Sequence, residues 1–502
     1  MLSATARSLV LLLFLAGISR AAEGELESRI VNGVFEFGEA ATGALIFGSD
    51  PEQGFQFCSG TLIGCETFLT AAHCVCDLDG PACLGANAPD PSDYSIFLQH
   101  AGFFDVTSIS LRSDYDFPTA DVAVLKLGSP VSGVPPVPIN MTASPAFGTP
   151  GTIVGFGTSG GDSDSGLKRS GAVTTAACST EISNVTSVCW EFLSPLGPPG
   201  LDSNTCSGDS GGPLFVDLGS GTVVAGVTSG GTSASCLPTD QSFDANVYHY
   251  RSWIQMQAGN DLFSARCGDL GQVGTPDVQV QNLLGALGEG VTEETHSFTV
   301  PTGTTELRVT MNAHDDGSAD FDLYVSRGSA PTTDDFDCRL FGFGQFGMCA
   351  FESPSPDEWF VLVNQFRGSG SYQVTATLFR SACSDPANAG DLCDDGDPCT
   401  TRDFCLLGTC FGTTVPDGTA CEDGSLCTQG DTCAAGVCNP GSGPLSDCRL
   451  PTVPQKSRLL VIDRSRNSRD RLTWRWVRGE ATSLEEFGDP TASTVHALCV
   501  YD

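Results

Sequence analysis

The chain has 502 residues, with 59 Gly, 29 Pro and only 17% charged side chains. This is too long for one hydrophobic core and favours several all-β units of short strands and turns over long amphipathic helices. A formal charge of -36 excludes nucleic acid as a partner, because binding phosphate needs clustered Lys and Arg, and otherwise describes a soluble, self-repelling surface.

At the start, Arg7 precedes the apolar run Leu9 to Ile18, and the small residues Ser19 and Ala21 follow. These are the marks of a signal peptide over 1–21 cut near Ala21, so a secreted chain is expected. The run is well short of the roughly 20 residues that cross a bilayer, and no later segment reaches that length, so no transmembrane segment is expected. In an exported chain, 23 cysteines describe a disulfide framework, with at least one thiol left over by the odd count.

From Ile30 to about Ile254, short apolar runs such as Thr152 to Phe156 and Thr222 to Val227 alternate with Gly, Pro, Ser and Asp turns, which indicates a β-barrel or sandwich. Val247, Tyr250, Trp253 and Ile254 have helical spacing and predict a terminal helix over 247–257 packed on that body. Three motifs lie within this stretch. Thr70-Ala71-Ala72-His73-Cys74 comes first, then Ala120-Asp121 followed by the apolar strand Val122 to Leu127, then Gly208-Asp209-Ser210-Gly211-Gly212-Pro213. Asp114 and Asp116 are decoys for the aspartate, since neither is followed by such a strand. Hydrolysis of a peptide bond by serine needs a nucleophile, a base, a carboxylate to orient the base, and donors for the oxyanion. Residues of all four types are present.

In this order and context, the motifs over roughly 30–256 resemble the trypsin/chymotrypsin family. The resemblance implies a double six-stranded antiparallel β-barrel over 30–267 and a secreted serine endopeptidase acting on protein or peptide substrates, with no cofactor or metal. It assigns His73 as base, Asp121 as its orienting carboxylate, Ser210 as nucleophile, and the amides of Gly208 and Ser210 as the oxyanion hole. Disulfides Cys58–Cys74, Cys178–Cys189 and Cys206–Cys236 follow from it. Cys65, Cys76, Cys83 and Cys267 have no counterparts, although Cys76 with Cys83 would close a short loop. Ser229 and Gly231 match the edge strand that binds extended substrate, and Gly230 between them stands where the family has tryptophan, a departure that would open the pocket wall. Asn204 occupies the base of the primary pocket and offers arginine no counter-charge, so a specificity unlike that of trypsin is expected unless Asp240 or Asp244 supplies one. Residues 22–29 form a propeptide. Cleavage between Arg29 and Ile30, at Ile30-Val31-Asn32-Gly33, would free an ammonium at Ile30 to pair with Asp209, with an activating protease as partner. The rival expectations are a catalytically silent homologue serving as an extracellular adhesin, and an esterase using the same triad.

After a Gly/Asp-rich linker at 268–277, alternating patterns such as Glu306 to Thr310 and Tyr372 to Leu378 predict a β-sandwich over 277–380. Its only cysteines, Cys338 and Cys349, are expected to pair. Ser297 to Met311 and Ala319 to Pro331 resemble the bacterial pre-peptidase C-terminal domain. Within 383–448 a repeat follows: Cys393, Cys399, Cys405 and Cys410 recur 28 positions later as Cys421, Cys427, Cys433 and Cys438. Gaps of five, five and four residues suit disulfides better than zinc, with connectivity left open. The segment 449–502 holds, in the run Lys456 to Arg478, 8 of the 24 basic side chains and alternates through Leu472, Trp474 and Trp476, the pattern of a small β-rich terminus. Its Cys499 would pair outside this sequence. Because every catalytic motif lies upstream, the modules beyond about 277 are expected to be dispensable for cleaving small peptides.

Overall fold

The computed structural model describes residues 30–76, 83, 87–159, 165–193, 198–219, 221–264, 266–268, 270–314, 317–340, 342, 345–380, 383, 389–390, 399–406, 409–421, 430–439, 441, and the backbones of 457–462 and 471–476. The expected signal peptide and propeptide, Arg29, Cys393, Cys427 and Cys499 lie outside the described residues.

The N-terminal part is two barrels. Strands β2 (Thr42–Phe47), β3 (Phe55–Gly64), β4 (Thr67–Thr70), β5 (Tyr94–Leu98), β6 (Gly102–Leu111) and β7 (Ala123–Leu127) close a six-stranded antiparallel barrel in the order β2-β3-β4-β7-β6-β5. Leu45, Leu62, Phe68, Ile96 and Leu125 fill it, each fully buried. In the second barrel β8 (Pro150–Gly155) pairs with both β9 (Arg169–Ala176) and β11 (Pro213–Asp217). The ring is completed through β10 (Ser187–Phe192), β13 (Asp240–Asn246) and β12 (Thr222–Gly231), while β1 (Val34–Phe35) extends β9. Ile153, Val188, Trp190 and Leu214 pack its interior together with Ile30. Apolar side chains that alternate along a twisted strand all face inward once the sheet closes, and closure removes the exposed edges.

The expected helix is α1 (Val247–Ala258), which buries Val247, Tyr250, Ile254 and Ala258 at helical spacing and joins the first barrel's core. Gly259, at φ 64°, ends it. The three family disulfides and the short Cys76–Cys83 link all form. Cys65, unassigned from sequence, pairs with Cys267 across 202 residues and ties β3 to the chain beyond α1.

The sandwich consists of two four-stranded antiparallel sheets. One orders β14 (Val278–Leu287), β21 (Gly370–Arg380), β16 (Thr304–Ala313) and β19 (Phe346–Glu352); the other orders β15 (Glu293–Val300), β20 (Asp357–Arg367), β17 (Asp320–Arg327) and β18 (Cys338–Leu340). Leu307, Val309, Leu323, Val361 and Val374 form the core between them, and Cys338–Cys349 joins the sheets as expected. The linker is not a loose tether. Val273 donates its amide to the Gly133 carbonyl at 2.8 Å and Gly271 to that of Arg380 at 3.3 Å.

The outward face of β16 and β21, polar in sequence, is also covered. Thr310, Asn312, Gln373, Thr375 and Thr377 are each at most 1% exposed, because the sheet lies against the two barrels. His100 Nδ1 meets Thr377 Oγ1 at 3.0 Å, and Phe346 meets Phe97 at a 5.0 Å ring separation.

In the repeat region, two hairpins (400–406 with 409–414, and 432–434 with 437–439) are held by Cys383–Cys405, Cys421–Cys438 and Cys399–Cys433, the last of which joins one copy to the other. A final hairpin pairs Ser457–Ile462 with Arg471–Trp476. No helix among the described residues is long and apolar enough to cross a membrane.

Candidate active site

His73 sits in the single 3-10 turn Ala72–Cys74 after β4, pinned to β3 by Cys58–Cys74. Its Nδ1 donates to Asp121 Oδ2 at 2.7 Å, and its backbone amide donates to Oδ1 at 2.9 Å. Asp121 is fully buried just before β7, on a turn fixed by the bond from the Ala120 amide to the Tyr250 hydroxyl at 2.9 Å. Ser229 Oγ also donates to Asp121 Oδ2, at 2.5 Å. A carboxylate accepts only, so its partner Nδ1 carries a proton, which in the neutral ring leaves Nε2 as the acceptor. Cys58, His73 and Cys74 offer atoms within 4.8 Å of one another, but both sulfurs are spent in the disulfide.

Ser210 lies on the turn before β11, with Cys74 Sγ 3.6 Å from its carbonyl oxygen. Gly208 and Gly211 have φ of 90° and 82°, and a Cβ on Gly211 would come within 2.1 Å of Thr70 Oγ1, so only glycine fits there. The peptide planes around Ser210 are fixed from behind. Ser207 C=O accepts from the Thr158 amide at 2.8 Å, and Asp209 C=O accepts from Gly212 at 2.8 Å. In a trans peptide the N–H points opposite to the C=O, so the Gly208 and Ser210 amides are turned to the other side. Among the described residues neither amide has a protein acceptor, and the Ser210 hydroxyl makes no hydrogen bond. Gln56 Nε2 and Ser59 Oγ each hold the Gly208 carbonyl at 2.9 Å; neither was singled out from sequence.

Beside Ser210 a pocket of about 210 Å³ opens between Thr205, Thr228, Gly231 and Asp240. Asn204 does not line it, contrary to expectation. Its amide nitrogen is spent on Cys236 C=O and Asp240 Oδ2, and its oxygen on Trp190 Nε1 and Ser242 Oγ. The carboxylate in the pocket belongs to Asp240, which also accepts from Thr232 Oγ1 at 2.9 Å and the Ser233 amide at 2.8 Å. Asp244 is fully buried outside the lining, and burial pushes its carboxyl well above the usual range against the opposing effect of the Thr228 hydroxyl. The wall at Gly230 is filled rather than opened. A Cβ there would stand 2.9 Å from the Phe243 ring and 3.4 Å from that of Phe117, and Phe117 also packs edge-on to His73 at 5.7 Å.

Asp209 is buried between the Gly157 amide at 2.8 Å and the Cys206 amide at 2.9 Å. Burial pushes its carboxyl up to about 7, against the pull of those two amides and of Arg169. Ile30 is fully buried in the second barrel, and Val31 exchanges two hydrogen bonds with Asn204 at 2.9 and 3.1 Å.

Residues 39–254 match the Trypsin family and residues 292–365 the bacterial pre-peptidase C-terminal domain. The chain is 32% identical to Brachyurin of Leptuca pugilator over 227 residues, 40% of this chain and 88% of that protein. It is 27% identical to Kallikrein-2 of Homo sapiens over 215 residues, 40% of this chain and 80% of that protein. A 58-residue stretch is 41% identical to Xanthomonalisin of Xanthomonas sp. (strain T-22), covering 12% of this chain and 7% of that protein. With its two six-stranded barrels and the Ser210 turn between them, the chain belongs to the trypsin family, its serine-protease domain followed by a bacterial pre-peptidase C-terminal domain.

Proposed function

We propose that this protein is a secreted serine endopeptidase in which His73, Asp121 and Ser210 form the catalytic triad. The observation that carries the reading is the buried Asp121 carboxylate gripping both the Nδ1 and the backbone amide of His73. His73 Nε2 takes the Ser210 proton as Oγ attacks the scissile carbonyl. The resulting oxyanion is received by the Gly208 and Ser210 amides, the imidazolium protonates the leaving amine, and water then releases the acyl group by the same steps in reverse order. Substrate lies as an added strand along Ser229 to Gly231, and its side chain before the scissile bond enters the pocket.

Asp240 favours lysine or arginine there. A carboxylate has about four acceptor positions, and three of those of Asp240 are used by Thr232, Ser233 and Asn204, so the preference is strong in charge and modest in hydrogen bonding. Maturation occurs by cleavage after Arg29, whose new Ile30 ammonium neutralises Asp209. The many disulfides and the accompanying domain support an extracellular site of action.

The test is labelling of the secreted, Arg29-cut protein with a fluorophosphonate, together with hydrolysis of a peptide library. Labelling lost in Ser210→Ala, with cleavage after Lys or Arg, is the expected result. An unlabelled wild-type protein would leave the family's fold without its chemistry, as a binding protein.

A further inference from the structure

The sandwich grips the protease part at the segment that holds the oxyanion peptide. Gln373 is fully buried at this contact. Its Oε1 accepts from the Lys168 amide at 2.7 Å and from Asn312 Nδ2 at 2.7 Å, while its Nε2 donates to the carbonyls of Lys168 at 3.1 Å and Glu36 at 3.2 Å. Asn312 Nδ2 also donates to Gly166 C=O at 2.9 Å, and the Gly166 amide donates to Phe156 C=O at 2.8 Å. Phe346 of the sandwich packs on the Phe156 ring at 6.2 Å.

The segment gripped in this way supports the nucleophile turn with three successive amides. Phe156 donates to Ser59 Oγ at 3.0 Å, and that hydroxyl donates to Gly208 C=O. Gly157 donates to Asp209 Oδ1, and Thr158 to Ser207 C=O. The last bond fixes the plane of the Ser207–Gly208 peptide, whose N–H is the oxyanion donor. A buried amide left without a partner is costly, so Asn312 and Gln373 hold Gly166 and Lys168 firmly, and a displacement there reaches Gly208 through the Gly166–Phe156 bond.

We propose that Asn312 and Gln373 are positioning residues for catalysis: the pre-peptidase C-terminal sandwich keeps the Gly208 amide aimed at the oxyanion by clamping Gly166 and Lys168, the first of which is bonded to Phe156. This rests on the proposed peptidase activity and makes the later module a working part of the active site, not a dispensable appendage.

The experiment compares full-length, Arg29-cut wild type with Asn312→Ala, Gln373→Ala and the double variant. Phe366→Ala, at a 70% exposed sandwich position, serves as the surface control. Steady-state hydrolysis of a small peptide is expected to show kcat reduced roughly ten- to hundredfold in the double variant, the scale of a misaligned oxyanion donor, with KM changed less than about threefold. Phe366→Ala should match wild type. Amide exchange at Thr158, measured in a Ser210→Ala background, should lose protection in the double variant, and this readout holds whether or not the enzyme turns over. Wild-type kcat together with unchanged Thr158 protection in a folded variant overturns the proposal. If the double variant does not fold, either single variant decides by the same two measurements. An inactive wild type whose Thr158 protection still depends on Gln373 would sink the peptidase reading and leave the clamp standing.

Discussion

Cutting the Arg29–Ile30 bond should change how stability depends on pH, through one buried carboxyl. In the uncut chain Asp209 titrates at about 7, chiefly because it is buried, against an ordinary value near 3.9 for an unfolded chain. Between those values the folded chain keeps the proton and the unfolded chain has lost it. Stability therefore falls as pH rises from about 4 to about 7 and stays low above that. Roughly three pH units correspond to about 4 kcal/mol. Once Ile30 carries an ammonium beside Asp209, the carboxylate is stabilised and this loss disappears. The assay is urea unfolding of Ser210→Ala protein, uncut and trypsin-cut, from pH 4 to pH 8. The inert serine prevents self-digestion, and the titrating groups common to both forms cancel in the difference, while the new Ile30 ammonium stays largely protonated below its usual value of about 8. The cut form should gain on the uncut form progressively across the window, approaching about 4 kcal/mol at pH 7.5. A difference that does not change with pH, or an uncut chain that grows more stable between pH 4 and 7, would refute the pairing of Ile30 with Asp209.

Ser210→Ala and His73→Ala should each lower kcat on the order of 10⁶-fold, with folding retained, as measured by peptide hydrolysis and circular dichroism. Asp240→Ala should lower kcat/KM for Lys and Arg substrates by at least about tenfold relative to Leu or Phe substrates, a shift of about 1.4 kcal/mol, whereas Asp244→Asn should leave that ratio unchanged in a library profile. His100 is pushed down to about 4, first by burial and then by Lys168; its contribution is present above about pH 6.5 and lost as pH falls towards 4. His100→Gln should therefore flatten the acid limb of a thermal-stability profile. Replacing Cys65 and Cys267 by serine should cost about 5 kcal/mol on the chain-entropy account of a 202-residue loop, read as a lower urea midpoint.

The site was legible where chemistry is local. His73, Asp121 and Ser210 each stand in a motif whose neighbours have their own structural duty: Cys74 to staple, Val122 to Leu127 to build a strand, Gly211 to avoid Thr70. What escaped depends on distant partners. Cys65–Cys267 leaves no local trace across its loop. Phe117 and Phe243 replace a missing tryptophan ring from two separate segments, so Gly230 alone suggested an empty wall. Asn204 was assigned by its place before Ser210, but Ser242 and Trp190 absorb its oxygen. On β16 and β21 the alternation of Thr310, Asn312 and Gln373 with Val309, Met311 and Val374 looks like a solvated face, and alternation cannot tell water from a neighbouring polar surface. The double barrel and sandwich followed from pattern and resemblance, but their docking did not.

Lys168 and Arg169 stand side by side at the start of β9 and are at most 2% exposed. A protease that cuts after basic residues needs several residues of its target drawn out as an accessible strand. Here that would mean pulling a barrel strand from between β8 and β10 and lifting Gln373 from Lys168. The dibasic pair is thus withheld from any protease that cuts after basic residues, for as long as β9 stays in its barrel.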